Sequence, residues 1–230
     1  MKYAALPLTA LLGLASCGAP GQRSAEKRVI RPSEVTDFHV LFGQNCSGCH
    51  GADGQGALTV GIGRPVYLAI ADDATIRSVI ENGRPGTPMQ PFAQKAGGML
   101  TDAQIDIVVH GIRTHWAKPG DFGKDKPPAY TASGPGDADR GHSVFTAVCS
   151  ACHGPEGRGA RAITDSSYLA LVTDQHLRTV IITGMPHLGM PDWRSHAKPL
   201  SDPDVTDVVA WLAAQRTPLS ARLKLPGGAQ

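Results

Sequence analysis

The chain has 230 residues with 22 Lys and Arg against 20 Asp and Glu, and the balance holds locally: 7 basic and 8 acidic residues lie in 31–120, 9 and 9 in 137–230. Such a balance points away from nucleic acid as a partner. Large side chains are scarce, 5 Phe, 4 Tyr and 3 Trp against 27 Gly and 18 Pro, so a domain of about 80 residues cut from it buries little apolar surface and needs another source of stability.

The first element is an apolar run from Ala4 to Leu14 behind Lys2. It is too short to cross a bilayer and has the form of an export signal. It ends in Leu14-Ala15-Ser16-Cys17-Gly18, which resembles the lipobox of bacterial lipoproteins. That resemblance implies removal of residues 1–16 as a lipoprotein signal peptide and a lipid on Cys17, holding the protein on the periplasmic side of a bacterial membrane. The alternative is an ordinary cleaved signal in which the cysteine has no part. Residues 17–33 then form a tether, a coil of roughly 20 Å span.

Next comes a helical stretch, Ser33 to Gln44, and directly after it Cys46-Ser47-Gly48-Cys49-His50; a second helical stretch, Ala138 to Ala147, precedes Cys149-Ser150-Ala151-Cys152-His153. Cys-x-x-Cys-His is the attachment signature of c-type haem. Two thiols one helical turn apart add to the two vinyl groups of one porphyrin, and the adjacent histidine lies under the iron. Each motif continues as Gly-x-x-Gly-x-Gly, through Gly51, Gly54, Gly56 and Gly154, Gly157, Gly159. A thioredoxin-type dithiol or a zinc site is the competing reading. Zinc would need both pairs on one metal and leaves the histidine after each pair without a reason. Cys46, Cys49, Cys149 and Cys152 are therefore read as attachment points of two covalent haems, and His50 and His153 as proximal iron ligands. With Cys17 they exhaust the cysteines, which leaves none for a structural disulfide.

The repeat extends past the cysteines. Tyr67 to Phe92 aligns without a gap with Tyr168 to Trp193, matching Tyr67 to Tyr168, Asp73 to Asp174, Arg77 to Arg178, Gly83 to Gly184 and Met89 to Met190. In each copy a helix begins after a capping residue, Asp72 or Thr173, and ends at Gly83 or Gly184. A proline-rich extended loop follows and delivers a thioether, so Met89 and Met190 are the candidate distal ligands. Met185 and Met99 have no counterpart in the other copy and are read as buried filler. His187 competes with Met190 by proximity. His39, His110, His115, His142, His176 and His196 share no repeat symmetry and are read as surface residues. A last helix starts at the capping box Thr101-Asp102-Ala103-Gln104, or at Ser201-Asp202-Pro203, with apolar residues at helical spacing, Ile105, Val108, Val109 and Ile112 or Val205, Val208, Val209 and Leu212. No segment alternates like a strand, so the expected fold is all-α, with domains at 34–118 and 138–218, a linker at 119–137 and a tail at 219–230.

These motifs resemble a diheme cytochrome built from two class I cytochrome c domains. The resemblance implies helices wrapped round one covalently attached haem per domain, His/Met ligation and one-electron transfer. In that family a glycine and an aromatic of the first helix pack against an aromatic of the last. The second copy has Gly141, Phe145 and Trp211; the first has Phe38, Phe42 and Gly111, so bulk has moved from one helix to the other. A proline whose carbonyl fixes the proximal histidine corresponds to Pro65 and is replaced by Ser166 in the second copy.

The function expected is one-electron transfer by a membrane-tethered diheme carrier in a respiratory or related chain, with redox proteins of membrane complexes as partners and no catalytic residue. Two alternatives differ in observable ways. A peroxidase-like or sulfur-compound-oxidising enzyme has one iron that is open or ligated other than by methionine. A fixed subunit of a dehydrogenase, quinol-oxidising complex or oxidase keeps both irons closed but copurifies with its complex.

Overall fold

The computed structural model describes residues 29–118, 120, 122, 124–159, 162–195 and 198–217. The signal segment 1–16, Cys17, most of the tether, His196 and the tail 219–230 lie outside them. The described residues up to Glu34 and those from Val35 onward belong to two different units. In the first, Arg31 donates to Glu34 across a 3-10 turn, Pro32–Glu34.

Among its described residues the second unit is all-α, with two isolated bridges, Ala93 to Leu100 and Met185 to Met190, as its β pairing. The first module contains α1 (Phe38–Asn45), α2 (Ser47–His50), α3 (Pro65–Ile70), α4 (Asp73–Asn82) and α5 (Asp102–Trp116). The second repeats the series as α6 (Ala138–Val148), α7 (Ser150–His153), α8 (Ser166–Leu171), α9 (Asp174–Thr183) and α10 (Asp202–Ala214). None of the helices among the described residues is long and apolar enough to cross a membrane.

Local chemistry sets the helix ends. Asp72 accepts from the Thr75 amide at 2.7 Å and Thr173 from the His176 amide at 3.2 Å, so α4 and α9 start where the capping residues indicate. Capping boxes open α5 and α10, closed by Gln104 in one and Asp204 in the other. The first helix is shorter than its sequence suggests. The Asp37 carboxylate accepts from the Val40 amide at 2.9 Å and starts α1 at Phe38, not at Ser33. Helices α3 and α8 are single short pieces, too brief for an apolar period to reveal; Pro65 opens one and Asp165 caps the other.

The first module's core gathers Leu41 and Phe42 of α1, Tyr67 and Leu68 of α3, Ile76 and Ile80 of α4, and Ile105, Val108 and Ile112 of α5. The second has Phe145, Leu169, Leu177, Val208 and Leu212. A third cluster joins the copies, because Val66 of α3 is buried with Ile182, Trp193, Leu200 and Val205. The linker is also built into the second module. The Ala129 amide donates to Asp202 at 3.1 Å, and the Ala129 carbonyl accepts from the buried Arg178 at 3.0 Å.

Met99 departs from its expected place. It is 73% exposed, while its neighbour Leu100 is 4% exposed. The Leu100 amide donates to the Phe92 carbonyl and its carbonyl accepts from Gln94, which turns Leu100 inward and Met99 to solvent.

Candidate haem sites

Each Cys-x-x-Cys-His motif forms one helical turn. The amide of His50 donates to the Cys46 carbonyl at 3.0 Å, and that of His153 to the Cys149 carbonyl at 3.0 Å. The turn sets both thiols of a motif on one side, the arrangement needed to bind two vinyl groups of one porphyrin. None of the four cysteines is in a disulfide. Burial and then the neighbouring Cys49 push the Cys46 thiol up to about 12; burial and then Cys152 push Cys149 up to about 11. Cys49 and Cys152 are exposed, so each motif has an inner and an outer sulfur.

The loop after each motif folds back upon it. Gly56 donates to the His50 carbonyl at 2.8 Å, and Gly159 to the His153 carbonyl at 2.7 Å. In the first module this return brings the Val60 carbonyl to 3.1 Å from His50 Nδ1. A ring nitrogen facing a carbonyl carries the proton, which leaves Nε2 unprotonated for a metal. Burial holds His50 below its usual range, in the neutral form that ligation requires. Val60, not Pro65, thus orients this histidine. Pro65 is the first residue of α3, and its carbonyl belongs to that helix's own ladder. Nothing in the local sequence distinguishes Val60; only the folded loop selects it.

Met89 and Met190 occupy equivalent places. In each copy the residue after the helix-ending glycine closes the loop, Arg84 donating to the Met89 carbonyl at 2.7 Å and Met185 to the Met190 carbonyl at 2.9 Å. Gly83 has φ 64°, and a Cβ there would lie 2.6 Å from the Met89 carbonyl oxygen. Gly184 has φ 65°, and a Cβ there would lie 2.6 Å from Pro191. The glycines are needed both for the left-handed turn and for this close return. The second loop contains a 3-10 turn, Pro186–Leu188, so it is not extended throughout. His187 is exposed, and its ring faces Gly56 of the first module, where an added Cβ would lie 2.9 Å from Cε1.

Among the described residues, Arg64 Nε in the first module and Trp193 Nε1 in the second are buried side-chain polar atoms with no hydrogen-bond partner. Each requires an acceptor that the described residues do not supply. A haem brings two propionate carboxylates, so the donor set fits that group. The cysteines show no sign of a shared metal: among the described residues no three His, Cys, Asp or Glu side chains gather as a zinc site would require.

A pair of arginines absent from the sequence reading supports both sites. Arg113 donates to the Leu68 carbonyl at 2.6 Å and also binds the Ala71 carbonyl and Asp73. Arg216 donates to the Leu169 carbonyl at 3.1 Å and the Val172 carbonyl at 3.0 Å and binds Asp174. Each clamp fixes the corner between the tyrosine helix and the helix leading to the methionine loop.

Comparison with known proteins agrees with this architecture. Residues 33–110 and 136–212 each match the family described as cytochrome c oxidase, cbb3-type, subunit III. The cbb3-type cytochrome c oxidase subunit CcoP of Azospirillum sp. is 33% identical over 137 residues, 53% of this chain and 40% of that protein. The cytochrome bc1 complex cytochrome c subunit of Mycobacterium bovis is 25% identical over 227 residues, 97% of this chain and 76% of that protein. The thiosulfate dehydrogenase electron acceptor of Stutzerimonas stutzeri is 27% identical over 162 residues, 66% of this chain and 65% of that protein. The chain thus spans less than half the length of the Azospirillum protein.

Proposed function

The chain belongs to the cbb3-type cytochrome c oxidase subunit III family, with two tandem cytochrome c domains that carry two covalently attached haems, and we propose that it is a membrane-tethered one-electron carrier. Cys46 and Cys49 attach one haem and Cys149 and Cys152 the other. His50 and His153 are the proximal ligands, Met89 and Met190 the distal ones. A haem closed by histidine and thioether takes up and releases one electron without binding a substrate, and the thioether raises its potential.

The observation that carries this reading is the equivalence of the two methionine loops, each closed onto the residue after a left-handed glycine. A peroxidase-like enzyme would have one loop without its methionine. The similar proteins named above are subunits of oxidase and bc1 complexes or an electron acceptor, which supports a redox protein of a membrane respiratory complex as partner. The domains proposed are 34–118 and 138–218, joined by 119–137, with a lipid on Cys17 anchoring them on the periplasmic side.

A sulfur–iron bond on low-spin ferric haem absorbs weakly at the red end of the spectrum. The purified chain should show this band at twice the intensity of a single-haem cytochrome, and its reduced form should bind carbon monoxide slowly at neutral pH. Rapid binding by one of the two irons would replace the carrier with an enzyme whose active site is that module. Cys17→Ser should move the protein from the membrane to the soluble exported fraction; a wild type already soluble would remove the anchor.

A further inference from the structure

The two methionine loops close in the same way but differ in the residue that closes them. In the second module it is Met185; in the first it is Arg84. The Arg84 guanidinium is half-buried, bonds to the Tyr130 hydroxyl and lies over the Tyr130 ring at 5.7 Å. Tyr130 is in turn held by the second module, its carbonyl accepting from Gln175 at 2.7 Å and from Arg178 at 3.2 Å. The charge is therefore pinned at the seam between modules, at the base of the Met89 loop.

No carboxylate among the described residues pairs with it. Those on neighbouring elements serve other cations: Glu81 binds Arg77 and Lys95, Asp174 binds Arg216, and Asp202 binds Arg178. The titratable groups that face it are Tyr67, which burial pushes up, and His176, which burial and then Arg84 itself hold down. Both are neutral at pH 7. The same asymmetry occurs once more in the repeat. Arg64, with its buried unpaired Nε, stands where the second module has Asp165. Both differences add positive charge to the first site relative to the second.

We propose that Arg84 orders the two haem potentials, holding that of the first module above that of the second, so that electrons enter at the second module and leave through the first. The proposal rests on Met89 and Met190 being the distal ligands. A fixed cation disfavours the extra positive charge of the oxidised iron, and a half-buried one is poorly screened, so the bias on a one-electron equilibrium is on the order of tenfold.

The test is a spectroelectrochemical titration of the full holoprotein, in which two one-electron components are resolved. Met89→His and Met190→His each lower the potential of the haem in their own module and so assign the components. The higher component should belong to the first module. Arg84→Met should narrow the gap by about 59 mV, a tenfold change in the one-electron equilibrium, while Arg84→Lys keeps it, with the sulfur–iron band at full intensity in both. A higher component in the second module overturns the proposal whether or not any Arg84 variant folds. So does an unchanged gap in Arg84→Met, an equal loss in Arg84→Lys, or a loss of the band, which would mean that Arg84 shapes the loop and not the field. A wild type that lacks the band on either iron overturns the ligand assignment instead.

Discussion

In the second module α6 and α10 meet backbone to backbone, because a Cβ on Gly141 would strike the Asp207 carbonyl. Trp211 then reaches back along the crossing, 4.4 Å from Phe145 and 5.3 Å from His142 between ring centroids. In the first module α1 and α5 stand apart at the same crossing with Phe38 filling the space, and a Cβ on Gly111 would fall within its ring. The missing tryptophan is supplied from the end of α5, where Trp116 packs edge-on to Phe42 at 4.8 Å. The copies thus conserve a filled crossing, not a residue pattern: either helix can donate the bulk provided the other yields. The ties at the helix starts differ likewise. Asp207 accepts from the Asp137 amide at 2.7 Å and pairs with Arg140, whereas Gln104 donates to the Val35 carbonyl at 3.0 Å.

The severest way to break the comparison is to remove the aromatics. Trp211 is 5% exposed and Trp116 only half-buried. Trp211→Ala should cost about 3–5 kcal/mol, and Trp116→Ala distinctly less, in guanidinium unfolding of the holoprotein. Equal losses would mean that Trp116 is a full substitute. Adding one methyl group sharpens the contrast. Gly111→Ala and Gly141→Ala should each cost about 1–3 kcal/mol, but Phe38→Leu should restore the first and leave the second unrepaired, since its obstacle is the Asp207 backbone. Rescue of both, or neither, would contradict the crossing geometry.

The smallest difference is in acid. Burial alone would raise the Asp204 carboxyl, but its bonds to Ser201 and then Arg140 hold it below the usual aspartate range. A carboxyl lowered in the folded state contributes stability that is present above its unfolded value and is lost as pH falls through the folded one. The α10 capping box should therefore weaken in acid, by at most about 1 kcal/mol after solvent screening, and the α5 box, closed by neutral Gln104, should not. Asp204→Asn should flatten that portion of the pH–stability curve; an unaltered curve would show that Asp204 contributes nothing.

The residues proposed for haem attachment and iron ligation are legible in the sequence because that chemistry demands fixed local spacing. A Cys-x-x-Cys-His turn, a capping residue and a helix-ending glycine each act within about one helical turn, so each leaves a pattern in the chain. The exchange of Phe38 and Gly111 was legible for another reason: a repeat supplies its own reference, and two departures in one copy point to one contact. Arg113 and Arg216 escaped because they clamp equivalent carbonyls from unequal positions, one within α5 and the other past the end of α10. A long side chain reaches the same acceptors from different turns, so function persists while alignment fails.

What the sequence determined by itself, then, was the number of haem motifs, the helices that begin and end at capping residues and glycines, and the placing of Met89 and Met190 at matching points of a repeat. The tertiary structure alone decided that Val60 orients His50, that Met99 faces solvent, that Trp116 replaces an absent aromatic, and that Arg84 and Tyr130 bind the first methionine loop to the second module. Those choices depend on which surfaces meet across many tens of residues, and a packing contact needs only matched volume and a reachable partner, which no fixed spacing in the chain encodes.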